Sequence, residues 1–187
     1  VLHWAHTRWG TPALAAVSFA ESSFFPIPPD PLLMALALGR PSRAWAFAGV
    51  CTLASVAGGL AGYAIGFGGW SLVGDWFFAH VPGVTPEAFA RVEQLYVRWD
   101  FWAIFLAGLT PIPYKVFTLS AGVFAINLPV FLIASGMSRG LRFTIEAGLI
   151  HHFGEPITAF IDRWFNVLSL LFGLMLVGGF LVVEWLL

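Results

Sequence analysis

Charge is what this sequence has least of. Asp, Glu, Lys and Arg make up 10% of its 187 residues, where a soluble domain carries roughly a quarter. So few ionic groups cannot cover a chain of this length, which excludes an ordinary soluble globule. The net charge of −1 makes nucleic acid an unexpected partner. A single cysteine, Cys51, excludes an internal disulfide framework. A cleavable signal is not evident, because the opening VLHWAHTRWG has no basic segment followed by an apolar run. What is abundant is apolar and aromatic: the mean hydropathy is +0.84 and Phe, Trp and Tyr supply 17% of the chain. The expectation is an all-α, multi-pass integral membrane protein.

Long uninterrupted apolar runs are also few. Crossing the hydrocarbon core takes about 20 apolar residues, and three stretches provide them: Ala44 to Gly66, Leu128 to Ile150 and Trp164 to Leu187. The other apolar stretches are about half that length and are cut by proline. Ala13 to Phe25 runs into PIPPDP before Pro31 to Leu38, and Phe101 to Leu109 runs into TPIPYK before Val116 to Phe124. Proline lacks the backbone donor and blocks continuation of a helix. Two half-length helices around such a turn predict a re-entrant hairpin, which is tolerated at membrane depth only inside protein or beside a watery cavity.

Aligning Pro26 and Pro28 with Pro111 and Pro113 gives an internal repeat with an offset of 85 residues. A hairpin returns to its own side and a span crosses, so the second copy should enter from the opposite side. The expected organisation is one membrane domain over 1–187: repeat one about 9–67, an amphipathic linker 68–100, repeat two about 101–151 and a last span about 162–187. Inverted repeats of broken helices belong to transporters. Within the linker, Thr85 is the expected N-cap and Pro86 the first helical residue. Phe89, Val92, Tyr96 and Trp99 share the apolar face of a surface helix.

Against this apolar background six ionisable groups stand out: Glu21, Asp30, Lys115, Arg139, Arg142 and Glu146. Each costs about 2.5–3.5 kcal/mol at a helix centre, so they should face inward. Arg139, Arg142 and Glu146 follow i, i+3, i+7 spacing and share one helical face. One reading makes them ion pairs that clamp the repeats. The other makes them a midplane cavity in which bases hold an anion and acids take protons. Arginine offers a planar fork and lysine a compact charge, and both suit phosphate. Asp30 and Lys115 occupy matching places after the two proline turns, which predicts that Lys115 pairs with Asp30 or Glu21. Arg142 has Glu146 one turn on as an alternative partner.

Other candidates carry less. Ala54, Gly58, Gly62 and Gly66 form a small-residue strip expected to pack helices. His3 and His6 lack a third metal ligand, and His151 and His152 diverge on a helix. Ser120, Ser135 and Ser138 have no base partner for nucleophilic catalysis, so no enzyme, metal or cofactor is expected.

The motifs ESSFFPIPPDPLL, GGLAGYAIGFGG, GLTPIPYKVFTLSAGVF and SRGLRF resemble the DedA family (the VTT, or SNARE-associated, domain), in particular its YqaA-like branch. The resemblance covers roughly Phe19 to Gly154. It implies inverted re-entrant hairpins, a prokaryotic inner-membrane location, and proton-dependent translocation of lipids such as undecaprenyl phosphate or phospholipid. The family's acidic positions fall on Glu21 and Asp30 and its second-hairpin base on Lys115, with Pro26, Pro28, Pro111, Pro113 and Tyr114 supporting the turns and Glu146 supporting Arg142. The additional family arginine before the second motif is missing from AGLTPIPYK, and Arg139 and Arg142 are the bases placed to supply it. The expected partners are membrane lipids with phosphate head groups, and protons. A homo-oligomer is compatible with the sequence. The distribution of Arg8, Arg40, Arg43 and Arg163 against Arg91 and Arg98 favours a cytoplasmic N-terminus. The competing expectations are a proton-coupled transporter of a small soluble anion and an intramembrane scaffold.

Overall fold

A computed structural model of the chain describes residues 9–23, 27–80, 85–110 and 113–154. Among these residues the fold is all-helical, with α1 (Gly10–Ser23), α2 (Asp30–Gly39), α3 (Ala44–His80), α4 (Pro86–Arg98), α5 (Asp100–Leu109), α6 (Tyr114–Val123) and α7 (Leu128–Phe153). The stretch Trp164 to Leu187, read above as a last span, lies outside the described residues, as do Pro26 and Pro111.

The breaks fall where the prolines are. α1 ends at Ser23, and α2 begins at Asp30 after an N-cap at Pro29, with Pro31 in its first turn. α5 stops at Leu109, before the second proline pair, and α6 starts directly after Pro113. Between α6 and α7 the turn is a Schellman motif: Ile126 N donates to Ala121 O at 2.9 Å and Ala125 N to Gly122 O at 3.1 Å, with Ala125 at φ 48°. Asn127 then caps α7, its side chain accepting from Val130 N at 3.3 Å.

One boundary differs from the sequence reading. α3 does not end near Gly66 but continues to His80, through the first part of the stretch read as linker. No proline interrupts Gly66 to His80, and glycine in a helix costs only about 1 kcal/mol relative to alanine, so the helix propagates through Gly68, Gly69 and Gly74. The linker's own helix is α4, which begins at Pro86 as expected. Its Phe89 stacks on Trp70 with centroids 4.8 Å apart, and the Tyr96 hydroxyl donates to Phe117 O at 2.9 Å. Val92 and Trp99, on the same predicted face, remain about half exposed. The Glu87 carboxyl is held below its usual range, first by its own backbone N–H and then by the Thr85 hydroxyl.

Packing follows a reciprocal pattern. The first helix of each broken pair lies on the long helix that follows it, α1 on α3 and α5 on α7. The second reaches the other long helix: α6 lies on α3, and α2 lies against both α7 and α3. Along α3 the chain passes from Phe47 and Cys51 in one apolar cluster, through buried Ser55, to Leu60 and Tyr63 beside a second cluster. Along α7 the order is reversed, from Phe131 and Ala134 through Ser135, Ser138 and Arg139 to Phe143 and Ile150. The two long helices therefore run antiparallel through a polar layer flanked by apolar ones.

Glycine makes these contacts close. A Cβ at Gly58 would sit 2.2 Å from Phe19 O of α1, and one at Gly66 would sit 2.1 Å from Leu119 O of α6. In return, a Cβ at Gly122 of α6 would sit 2.0 Å from Tyr63 O of α3. The strip therefore packs helices, as its spacing suggested. Gly122→Ala is expected to push α6 off α3 and destabilise by about 1–3 kcal/mol. Thermal unfolding in detergent measures this, and an unchanged midpoint would contradict so tight a crossing.

The exterior is apolar. On α7, Ile133, Met137, Leu141 and Ile145 are 45–57% exposed, while Arg139 on the opposite side is 3% exposed. Among the described residues, Pro41–Leu72 is the stretch both long and apolar enough to cross a membrane. α7, at about 39 Å, is also long enough but carries Arg139, Arg142 and Glu146.

Candidate functional site

The i, i+3, i+7 spacing on α7 turns Arg139, Arg142 and Glu146 toward the other helices, where each arginine meets an acid from the first broken pair. Arg139 Nη2 is 2.5 Å from Glu21 Oε2 at the end of α1. Its Nε donates to Ser55 Oγ on α3 at 2.7 Å, Ser55 Oγ lies 2.6 Å from Ser22 Oγ, and Ser22 Oγ donates back to Glu21 Oε2 at 3.1 Å. The guanidinium carbon is 4.9 Å from the Tyr114 ring centroid and 4.8 Å from that of Phe143, a cation–π contact with two rings.

Arg142 joins three groups. Its Nη2 is 2.7 Å and its Nε 3.1 Å from Asp30 Oδ1, at the start of α2. The same Nε is 3.2 Å from Glu146 Oε1. Its Nη1 donates to Thr110 O at 3.0 Å, the last carbonyl before Pro111. One guanidinium thus bridges the residues flanking both proline breaks. A planar fork of five donors makes that geometry available to arginine and not to lysine.

A second set of hydroxyl bonds ties the two broken pairs together. Thr118 Oγ1 of α6 lies 3.1 Å from Ser22 O of α1 and 3.0 Å from Lys115 O. The buried Tyr114 hydroxyl donates to Ser135 Oγ, and Ser138 Oγ donates to Ser135 O at 3.2 Å. Of the residues expected at the site, Glu21, Asp30, Arg139, Arg142, Glu146 and Tyr114 come together. Pro28 and Pro113 are exposed at the turns.

Lys115 is the correction. Among the described residues it forms no ion pair, and Asp30 and Glu21 are held by Arg142 and Arg139 instead. The reason is helical phase. α6 begins at Tyr114, which takes the buried position corresponding to Asp30 at the head of α2. One residue turns about 100° around a helix, which leaves Lys115 half buried at the side. The alternative of Glu146 as the partner of Arg142 holds together with Asp30 rather than instead of it.

Ser22, Ser55, Thr110 and Thr118 were not singled out in the sequence. Their signal was available: hydroxyls in apolar helices need a partner once buried. Ser135 and Ser138, weighed only as nucleophiles, are structural hydrogen-bond partners. Among the described residues no cluster of three His, Cys, Asp or Glu side chains could hold a metal ion. His151 sits at the exposed end of α7, with Nδ1 3.0 Å from Pro41 O. His3 and His6 lie outside the described residues.

Related chains share nearly the whole length. A protein of Haemophilus influenzae described as uncharacterized is 36% identical over 172 residues, 90% of this chain and 86% of the relative. A homologue from Histophilus somni is 33% identical over 163 residues, 84% and 81% respectively. The chain belongs to this bacterial family. No family model matches the sequence, and no solved structure matches it.

Proposed function

We propose that this protein is a multi-pass inner-membrane translocase of lipid phosphates, coupled to protons and built as two inverted repeats in the manner of the DedA family it resembles. The observation that carries the reading is Arg142. It is an arginine inside an apolar-surfaced helical body, and it contacts the residues flanking both proline breaks at once. The reciprocal packing of α2 on α7 and α6 on α3 supports the inverted arrangement. The apolar outer face of α7 supports its contact with lipid. α3, at about 55 Å, exceeds the roughly 30 Å hydrocarbon core, so its later turns and α4 lie at the surface. The arginine distribution favours a cytoplasmic N-terminus.

The chemistry follows from the pairs. In the structure both arginines are held by carboxylates. A proton on Asp30 or Glu21 cancels the charge that holds its arginine, and the released fork can take two oxygens of a lipid phosphate. Loss of the proton restores the carboxylate, which reclaims the arginine and expels the phosphate. Lys115, half buried and without an ion pair among the described residues, is free to meet the phosphate first. Nothing in this cycle needs a nucleophile or a metal.

Reconstitution into liposomes with labelled undecaprenyl phosphate and labelled phospholipid, with and without a pH gradient, tests the reading. The expected result is transbilayer movement of at least one lipid phosphate that accelerates with the gradient. Uptake of inorganic phosphate without lipid movement would make the protein a soluble-anion transporter. Movement of neither would leave a scaffold.

A further inference from the structure

Among the described residues, the polar layer contains more acid than base. Glu21, Asp30 and Glu146 face it with three carboxyl groups, and Arg139 and Arg142 with two guanidiniums. Glu21 and Arg139 satisfy each other. Arg142 gives Asp30 both Nη2 and Nε, and leaves Glu146 only the shared Nε. The other oxygen, Glu146 Oε2, is buried with no hydrogen-bond partner among the described residues. Asp30 Oδ1 and Glu146 Oε1 meet at the same Arg142 Nε, at 3.1 and 3.2 Å, which makes the two carboxyl groups neighbours.

Two carboxylates side by side repel, and a buried oxygen without a donor forfeits its solvation. One proton removes the excess charge, supplies the donor that Asp30 can accept and gives the orphaned oxygen its partner. We infer that Glu146 and Asp30 form a proton-binding site, with one exchangeable proton on Glu146 and Asp30 as its hydrogen-bond acceptor. Neighbouring carboxyl groups share a proton because ionising both costs more than ionising one.

The surroundings fix the site's charge. From α7 come Arg142 and, one turn earlier, Arg139, and from α1 comes Glu21, already paired. α3 contributes the buried Cys51 thiol, α2 contributes only Asp30, and the end of α5 contributes the Thr110 carbonyl. With the proton present, Arg142 and Asp30 balance. Without it, the pair carries one uncompensated negative charge beside a single guanidinium. This rests on the transport reading only in naming the proton as the coupling ion, because the proton site itself is a property of the folded chain.

Infrared spectra of the purified protein in liposomes, taken in H2O and D2O, read the site directly. Wild type is expected to show one protonated-carboxyl carbonyl band at neutral pH that shifts in D2O. Glu146→Gln should lose that band completely, Glu146→Asp should keep it at a moved frequency, and Asp30→Asn should raise its frequency by removing the acceptor. Thermal unfolding confirms that each variant is folded. In the liposome assay, Glu146→Gln should also lose the acceleration by the pH gradient. Absence of the band in wild type from mildly acidic to mildly alkaline pH, or its survival in Glu146→Gln, would overturn the inference. A band that behaves as expected in a protein that moves no lipid would instead sustain the proton site and sink the transport reading.

Discussion

Arg142→Ala is expected to destabilise the protein by about 3–5 kcal/mol, the usual loss when one member of a buried ion pair is removed, and to abolish lipid-phosphate movement. The change strands Asp30, takes from Glu146 its Arg142 Nε donor and frees the Thr110 carbonyl, all of which now meet at one guanidinium. Because those groups flank both proline breaks, the loss should be cooperative and should not be confined to one helix. Arg142→Lys keeps the charge but offers a point donor in place of a fork. It should recover part of the stability and little of the transport. Unfolding midpoints in detergent, with flux in liposomes, measure both. Wild-type stability in Arg142→Ala would mean that the bridge is absent in solution.

The second large effect is at the other pair. Glu21→Gln leaves Arg139, which is 3% exposed, charged beside Ser55 and between two aromatic rings. A loss of about 3–5 kcal/mol is again expected. The double variant Glu21→Leu with Arg139→Met removes both charges at similar volume. Apolar replacement of a buried pair is often neutral or stabilising, so stability should return toward wild type. Transport should not return, because the phosphate has lost a base and the cycle an acid. This separates the two readings of the charged cluster. Full transport by the double variant would reduce Glu21 and Arg139 to a clamp.

How far these contacts were legible in the sequence depended on what kind of information each needed. Proline acts through its own covalent geometry, so PIPPDP and TPIPYK marked the breaks between α1 and α2 and between α5 and α6 without tertiary context. The inward face of α7 needed only helical period and the cost of charge in an apolar setting. The glycine strip needed only spacing. The partner of Lys115 was a different kind of question. Aligning the prolines matched Lys115 with Asp30, but helix phase is set by where α6 starts, and one residue put Tyr114 in the buried place. Pairing across the interior also depends on the reach of α7 toward α1 and α2, which no local pattern encodes. Ser22 and Ser55, 33 residues apart and 2.6 Å from contact to contact, become a network only once α1 lies on α3. The fall in hydropathy after Gly66 resembles a linker, yet α3 runs on to His80, because a helix ends only where something stops it.

Lipid-phosphate transport by this chain requires a charged interior held inside a shell that faces lipid. Single-cysteine spin labels at Ile133, Met137, Leu141 and Ile145, in a Cys51→Ser background reconstituted into liposomes, test this most directly. The four sites lie on the outer face of α7, opposite Arg139. The predicted result is a series of labels open to dissolved oxygen and closed to a water-soluble nickel chelate, with the greatest depth at the middle positions. Equal access of the chelate to all four labels would place that face in water and contradict the membrane reading together with everything built on it.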